Sequence, residues 1–262
     1  MAFLAAIQWG YVASGLLVGT AVGLTGVGGG SLMTPILILV FGISPVAAVG
    51  TDLLYAAATK TAGSAIHGVH ATIDWKVVRR LALGSVPAAV ATLLTLHFLG
   101  LDSHKANRLV SDILAVALFV TAAALLFRKQ LLARYGRRLR TLSPAATARY
   151  TVLTGFILGV LVASTSVGAG ALGVTALILL YPELPAVKLV GSDIAHAVPL
   201  TLVAGAGHWF LGNINFALMG TLLLGSIPGI LIGSLMAPRV PEHILRRLMA
   251  VILAVVAVKL AL

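Results

Sequence analysis

Long apolar blocks with almost no charge, such as residues 109–127 and 249–262, constrain this chain more than any other feature of its sequence. A run approaching ~20 residues with few charges suits a helix crossing a hydrocarbon core of ~30 Å. A β-barrel needs short strands that alternate polar and apolar residues. Here the runs are continuous and rich in Ala and Leu, so helices are expected. Composition agrees: 60% of the 262 residues are apolar and 10% are charged, whereas soluble domains carry about 25% charged residues. The expected fold class is therefore an all-α, polytopic membrane protein. There is no cysteine, which removes disulfides and thiolate chemistry from consideration. No metal-ligating or cofactor-binding constellation stands out, so no cofactor is expected. The start of the chain has no basic n-region, and its apolar run continues into a glycine-rich stretch, so a cleaved leader is not expected.

A repeat divides the chain. Thr25-Gly-Val-Gly-Gly-Gly-Ser31 resembles Thr165-Ser-Val-Gly-Ala-Gly-Ala171 at an offset of 140. After one insertion the offset is 141. Gly50-Thr51-Asp52 then matches Gly191-Ser192-Asp193, His67 matches His208, and Gly84-Ser85-Val86-Pro87 matches Gly225-Ser226-Ile227-Pro228. Apolar stretches resemble one another trivially, but Gly, Asp, His and Pro recurring in one order at near-constant spacing mark a duplication. The units are 1–127 and 150–262, separated by a basic linker at 128–149. Each is expected to hold a hairpin of two short segments around the glycine-rich turn, then three long transmembrane helices.

The charges orient the units. The net charge is +11, and the linker holds Arg128, Lys129, Arg134, Arg137, Arg138, Arg140 and Arg149 with no acid. Such a loop is a positive-inside signal and a contact for anionic lipid, not a nucleic-acid site. With the linker in the cytoplasm, the basic loop at 76–80 falls inside. Its uncharged counterpart at 212–221 falls outside, and both termini fall outside. Equivalent loops on opposite sides imply two units of inverted topology.

The two glycine-rich turns then fall at mid-membrane. Turned backbone at that depth is tolerated only when buried in protein or lining a wet cavity. Helices starting there aim unpaired N–H groups and a positive dipole end inward, and glycine lets a ligand come close. A small oxyanion fits such a site. Its expected contacts are Thr25, Gly26, Gly28, Gly29, Gly30, Ser31, Thr165, Ser166, Gly168 and Gly170. The bland reading is that these glycines only permit close helix packing. Asp52 and Asp193 lie about two turns into long helices, and ionisable residues there default to functional or paired roles. They are expected to carry a coupling proton, with His67, His208 and His196 as further candidates. Lys60 shares a helix with Asp52 but corresponds to Thr201, so it breaks the symmetry and suits either attraction of an anionic substrate or neutralisation of a carboxylate. Pro87 and Pro228 sit inside long helices, where they form kinks and candidate hinges.

At these motifs the chain resembles the TauE/SafE sulfite-exporter family. The resemblance rests on Gly26-Val-Gly-Gly-Gly-Ser31 with Pro35, Pro45-Val-Ala-Ala-Val-Gly-Thr-Asp52, His67 and Gly84-Ser85-Val-Pro87. The second copy supplies Gly168-Ala-Gly170, Gly191-Ser-Asp193 and Gly225-Ser-Ile-Pro228. It departs at Ala169 and Ala171, where the first copy has Gly29 and Ser31. The resemblance implies export of sulfite, sulfonates or related sulfur-containing anions across a bacterial inner membrane, coupled to protons. Two other readings compete. A passive anion channel would use the same central site. An intramembrane hydrolase would pair Ser31, Ser164 or Ser166 with His67 or His208 and use a glycine turn as oxyanion hole. Monomer and homodimer both remain open.

Overall fold

The computed structural model describes residues 8–25, 30–69, 71–100, 102–139, 141–236 and 242–261, without the side chains of 25, 66–69, 137, 138, 234 and 242–246. Among these residues all regular structure is helical. In chain order the helices are α1 (Trp9–Thr25), α2 (Gly30–Leu39), α3 (Pro45–Val69), α4 (Trp75–Phe98), α5 (Ser103–Leu126), α6 (Arg128–Leu139), α7 (Pro144–Thr165), α8 (Ala171–Leu180), α9 (Ala186–Phe210), α10 (Phe216–Met236) and α11 (Glu242–Ala261). By length and composition α4, α5, α7, α9 and residues 216–233 of α10 are able to cross a membrane. Exposed Leu, Val, Ile and Phe side chains stud the outer faces of these helices, as a lipid-facing surface requires.

The short arms are α2 and α8, each 10 residues, or about 15 Å long. The first arm of the second hairpin is longer than the sequence suggests. Ser143 caps α7 by accepting the N–H of Ala146, and Pro144 takes the first turn, where a missing N–H costs nothing. This adds residues from the linker and makes α7 22 residues long, about 33 Å. The hairpin therefore has one full-length and one half-length arm. The rest of the linker is not a loop either. Residues 128–139 form α6, whose basic and apolar side chains segregate to different faces, the pattern of a helix lying at a membrane interface.

The closest helix packing crosses between the units. A Cβ on Gly84 of α4 would overlap the Val152 carbonyl of α7, and Cβ atoms on Gly155 and Gly159 would overlap the carbonyls of Leu81 and Ser85. At positions 140 or 141 residues away the same contacts recur between α10 and α1. Gly225 meets the Val12 carbonyl, and Gly15 and Gly19 meet those of Leu222 and Ser226. Both pairs run parallel, since rising numbers on one helix meet rising numbers on the other. By contrast, α3 and α9 run antiparallel, with Gly50 against His208, Leu54 against Gly205 and Gly63 against Ile194. Small residues at these seams let backbones approach, which is how helices gain contact in lipid.

The helix caps cross between the units as well. Asp74 caps α4 by accepting the N–H groups of Lys76 and Val77, while its own N–H donates to Ser192 on α9 at 2.8 Å. Asn215 caps α10 by accepting the Leu218 N–H, while its own N–H donates to Thr51 on α3 at 3.0 Å. The hydroxyl in each Gly-Thr/Ser-Asp run thus supports the other unit's helix start.

Candidate functional site

The two hairpin tips meet. A Cβ on Gly30, at the start of α2, would overlap the backbone oxygen and hydroxyl of Ser166 in the α7–α8 turn. That turn uses left-handed backbone, with φ of 61° at Ser166, 122° at Gly168 and 114° at Gly170, so glycine at the last two avoids a steric penalty. Gly173 N–H then bonds to the Gly168 carbonyl and Val174 N–H to that of Gly170.

Each aspartate docks near the start of its own unit's half-helix. Thr34 Oγ1 donates to Asp52 Oδ2 at 2.5 Å, and the Ser166 hydroxyl also faces this carboxyl. Asp193 lies against Gly173 so closely that a Cβ there would overlap its Oδ1. It approaches the backbone N–H of Gly170 without completing a hydrogen bond on either oxygen. The difference traces to one position: the counterpart of Thr34 is Val174. Carboxylates at helix N-termini are electrostatically favourable, so the positive ends read from the sequence as anion sites already face the protein's own carboxyl groups.

Lys60 lies between them. Its side chain is buried and within electrostatic reach of both Asp193 and Asp52. Among the described residues no salt bridge joins it to either; the one ion pair found is the exposed Lys105–Asp102 contact. His196 is also within electrostatic reach of Lys60, and Tyr55 within reach of Asp52. His196 Nε2 and Ser85 Oγ are 2.8 Å apart, and Tyr55 faces Ser226. These pairs are equivalent in the repeat: Tyr55 corresponds to His196 and Ser226 to Ser85. Most of the buried polar atoms without a protein partner among the described residues belong to these residues and to the hairpin tips: Ser31 Oγ, Asp52 Oδ1, Tyr55 OH, Ser166 Oγ, both Asp193 oxygens and His196 Nδ1. Buried polar groups are normally hydrogen-bonded. A cluster of unsatisfied donors and acceptors around a lysine therefore has the chemistry of a polar ligand site.

The structure thus brings together Gly30, Ser31, Asp52, Lys60, Ser166, Gly170, Asp193 and His196 from the sequence expectations. Thr165 lies beside them, but its hydroxyl donates to the Leu161 carbonyl and accepts the Val167 N–H. His208 sits on Gly50 and donates from Nε2 to the Ala163 carbonyl at 2.9 Å. Pro87 and Pro228 lie inside α4 and α10, each two residues beyond the serine that faces the cluster. Gly26, Gly28 and Gly29 lie outside the described residues, as do the side chains of Thr25 and His67. Sequence reasoning missed Thr34, Tyr55, Ser85, Ser226 and Gly173. The signal for the serines was present, since Gly-Ser-X-Pro recurs in both units, but only its proline was read as meaningful.

A family model described as sulfite exporter TauE/SafE matches residues 11–260. The chain belongs to the TauE/SafE family. This TauE/SafE protein is also 40% identical over 214 residues to the "Probable membrane transporter protein YjnA" of Bacillus subtilis (strain 168), covering 80% of this chain and 82% of that protein. No solved structure matches. With family and long apolar helices in agreement, this is a multi-pass membrane protein of the transporter type.

Proposed function

We propose that this TauE/SafE protein is a secondary transporter that exports a small oxyanion, a sulfite, sulfonate or related sulfur-containing anion, across the bacterial inner membrane by alternating access. The observation that carries this reading is the buried, unpartnered polar cluster around Lys60 where the hairpin tips meet. Lys60 supplies charge, and the Ser31 and Ser166 hydroxyls and the turns at Gly30 and Gly170 supply donors. Asp52 and Asp193 are the proton carriers.

The moving parts follow from an inverted repeat. Three observations support the inversion: equivalent cross-unit contacts of α1 with α10 and of α7 with α4, equivalent caps, and the antiparallel run of the corresponding helices α3 and α9. Corresponding membrane helices pointing opposite ways are what an in-plane pseudo-two-fold axis produces. The α1–α10 and α4–α7 pairs are the units that rock, and Pro87 and Pro228 lie in the helices that flex. The basic segments gather at one end: Arg80 donates to Tyr181 at 2.9 Å, and α6 packs on α8 nearby. That end is assigned to the cytoplasm and the termini to the outside.

The channel reading predicts equilibration only. The hydrolase reading finds little support, since the described histidine contacts go to Ser85 and Ala163 rather than to Ser31 or Ser166, and His196 Nδ1 lacks an orienting acid. The test is flux of radiolabelled sulfite in proteoliposomes. Saturable flux and uphill accumulation under an imposed proton gradient are expected. Equilibration without accumulation would favour the channel, and no anion flux at all would remove the transporter reading.

A further inference from the structure

We infer that the anion and the coupling proton occupy the central site together, with one proton taken up by the Asp52/Asp193 pair for each negative charge the anion brings. The inference rests on the oxyanion-site reading above and specifies how that site is coupled.

The geometry sets up a competition. Each carboxyl sits near the start of a half-helix, the place a substrate oxyanion would take, and both share Lys60, the one buried Lys or Arg among the described residues. The carboxylates act as internal stand-ins for the cargo. An incoming anion needs the same donors and the same ammonium, in a site whose groups are buried. Adding uncompensated negative charge to such a site is costly. With both acids ionised in the empty site, its charge stays unchanged only if a proton accompanies each anionic charge. The proton comes from bulk water on the open side and goes to a carboxyl oxygen. Asp193 Oδ1 and Oδ2 and Asp52 Oδ1 are unoccupied by any protein hydrogen bond.

The other groups facing Lys60 do not provide an equivalent sink. On α3 this is Asp52, with Tyr55 facing Asp52 in turn, and on α9 they are Asp193 and His196. His196 is already committed through Nε2 to Ser85, and a second cation beside Lys60 would add repulsion. On the remaining neighbours, α10 presents Ser226, α4 presents Ser85, α2 presents Ser31 and Thr34, and the α7–α8 turn presents Ser166. Asp112 on α5 is exposed. Two carboxyls against one ammonium form the titrating unit. Anion and proton then cross in the same direction, so an outward flux runs down the anion's own gradient and carries protons with it.

The experiment is calorimetric titration of the purified full-length protein in detergent, repeated in buffers of different ionisation enthalpy to count protons. Methanesulfonate and sulfate serve as probes because neither changes its own protonation near neutral pH. Uptake of about one proton with methanesulfonate and about two with sulfate is expected, with methanesulfonate affinity rising roughly tenfold per unit fall in pH where uptake is complete. In D52N/D193N, binding persists and proton uptake falls to near zero. Binding without proton uptake, equal uptake for both anions, or uptake that survives D52N/D193N and disappears in H196Q overturns the inference alone. Failure of both anions to bind overturns the oxyanion-site reading and the coupling with it. If the double variant does not fold, the comparison of the two anions on the unmodified protein decides.

Discussion

The two aspartates occupy equivalent places and live in different surroundings. Asp52 is held by the Thr34 hydroxyl and faced by Ser166, whereas Asp193 has no completed hydrogen bond and rests on the bare backbone of Gly173. Two substitutions within the half-helices produce this difference: Thr34 against Val174 and Met33 against Gly173. Duplication gives two copies of an architecture, and small changes on one face of a 10-residue helix then give one copy a fixed acid and the other a free one. Lys60, with Thr201 as its counterpart, completes the division.

The strongest way to break the comparison is to remove the group both acids share. Lys60→Gln leaves Asp52 and Asp193 without their shared cation, and anion flux in proteoliposomes should fall by about 100-fold, corresponding to about 3 kcal/mol for a lost buried partner. A smaller change tests the seams. Gly84→Ala and Gly225→Ala should each lower stability by about 1–3 kcal/mol through backbone overlap, read as a loss of thermal stability in detergent. The two losses should be similar if the seams are equivalent. Thr34→Val and Val174→Thr exchange the partners of the acids. Loss of the Thr34 donor should cost about 1.5–3 kcal/mol, as for a hydrogen bond to a charged group. Gain of a donor beside Asp193 should recover up to about 1 kcal/mol. Both are read from unfolding midpoints. Val174→Thr with no gain would show that Asp193 is held by something other than its missing donor.

The outer ends of the hairpins offer the mildest test. Tyr181 at the end of α8 accepts from Arg80 and lies 2.8 Å from Thr151 Oγ1. The corresponding residues in the first unit, Phe41 and Tyr11, pack ring against ring with centroids 4.4 Å apart. Tyr181→Phe makes the second hairpin resemble the first and should cost about 0.5–1.5 kcal/mol. A much larger loss of transport than of stability would mark the polar latch as part of a gate at that end.

Much of this was legible in the sequence because membrane chemistry narrows the choices. Long uncharged blocks give the helices, and repeated Gly, Asp and Pro give the duplication. Lys60 and the two acids stood out because charge is rare in such segments. The rest depended on packing. Thr34 looks like any hydroxyl in an apolar helix until α2 is laid against α3. Thr51 and Ser192 were read beside the acids, yet each turns to the helix start of the opposite unit. The first turns of α7 were hidden because Arg149 made 128–149 look like one basic loop.

The parallel seam between α1 and α10 has a consequence for synthesis. The glycines of α1 at 15 and 19 meet partners at 222 and 226, so α1, which leaves the ribosome long before α10, must wait for it. Until then its small-residue face lies open to lipid or to insertion factors. Contacts of such sequence separation close late and slowly. The same dependence implies that residues 1–127 and 143–262, made as separate chains in one cell, should assemble with each other rather than mature alone.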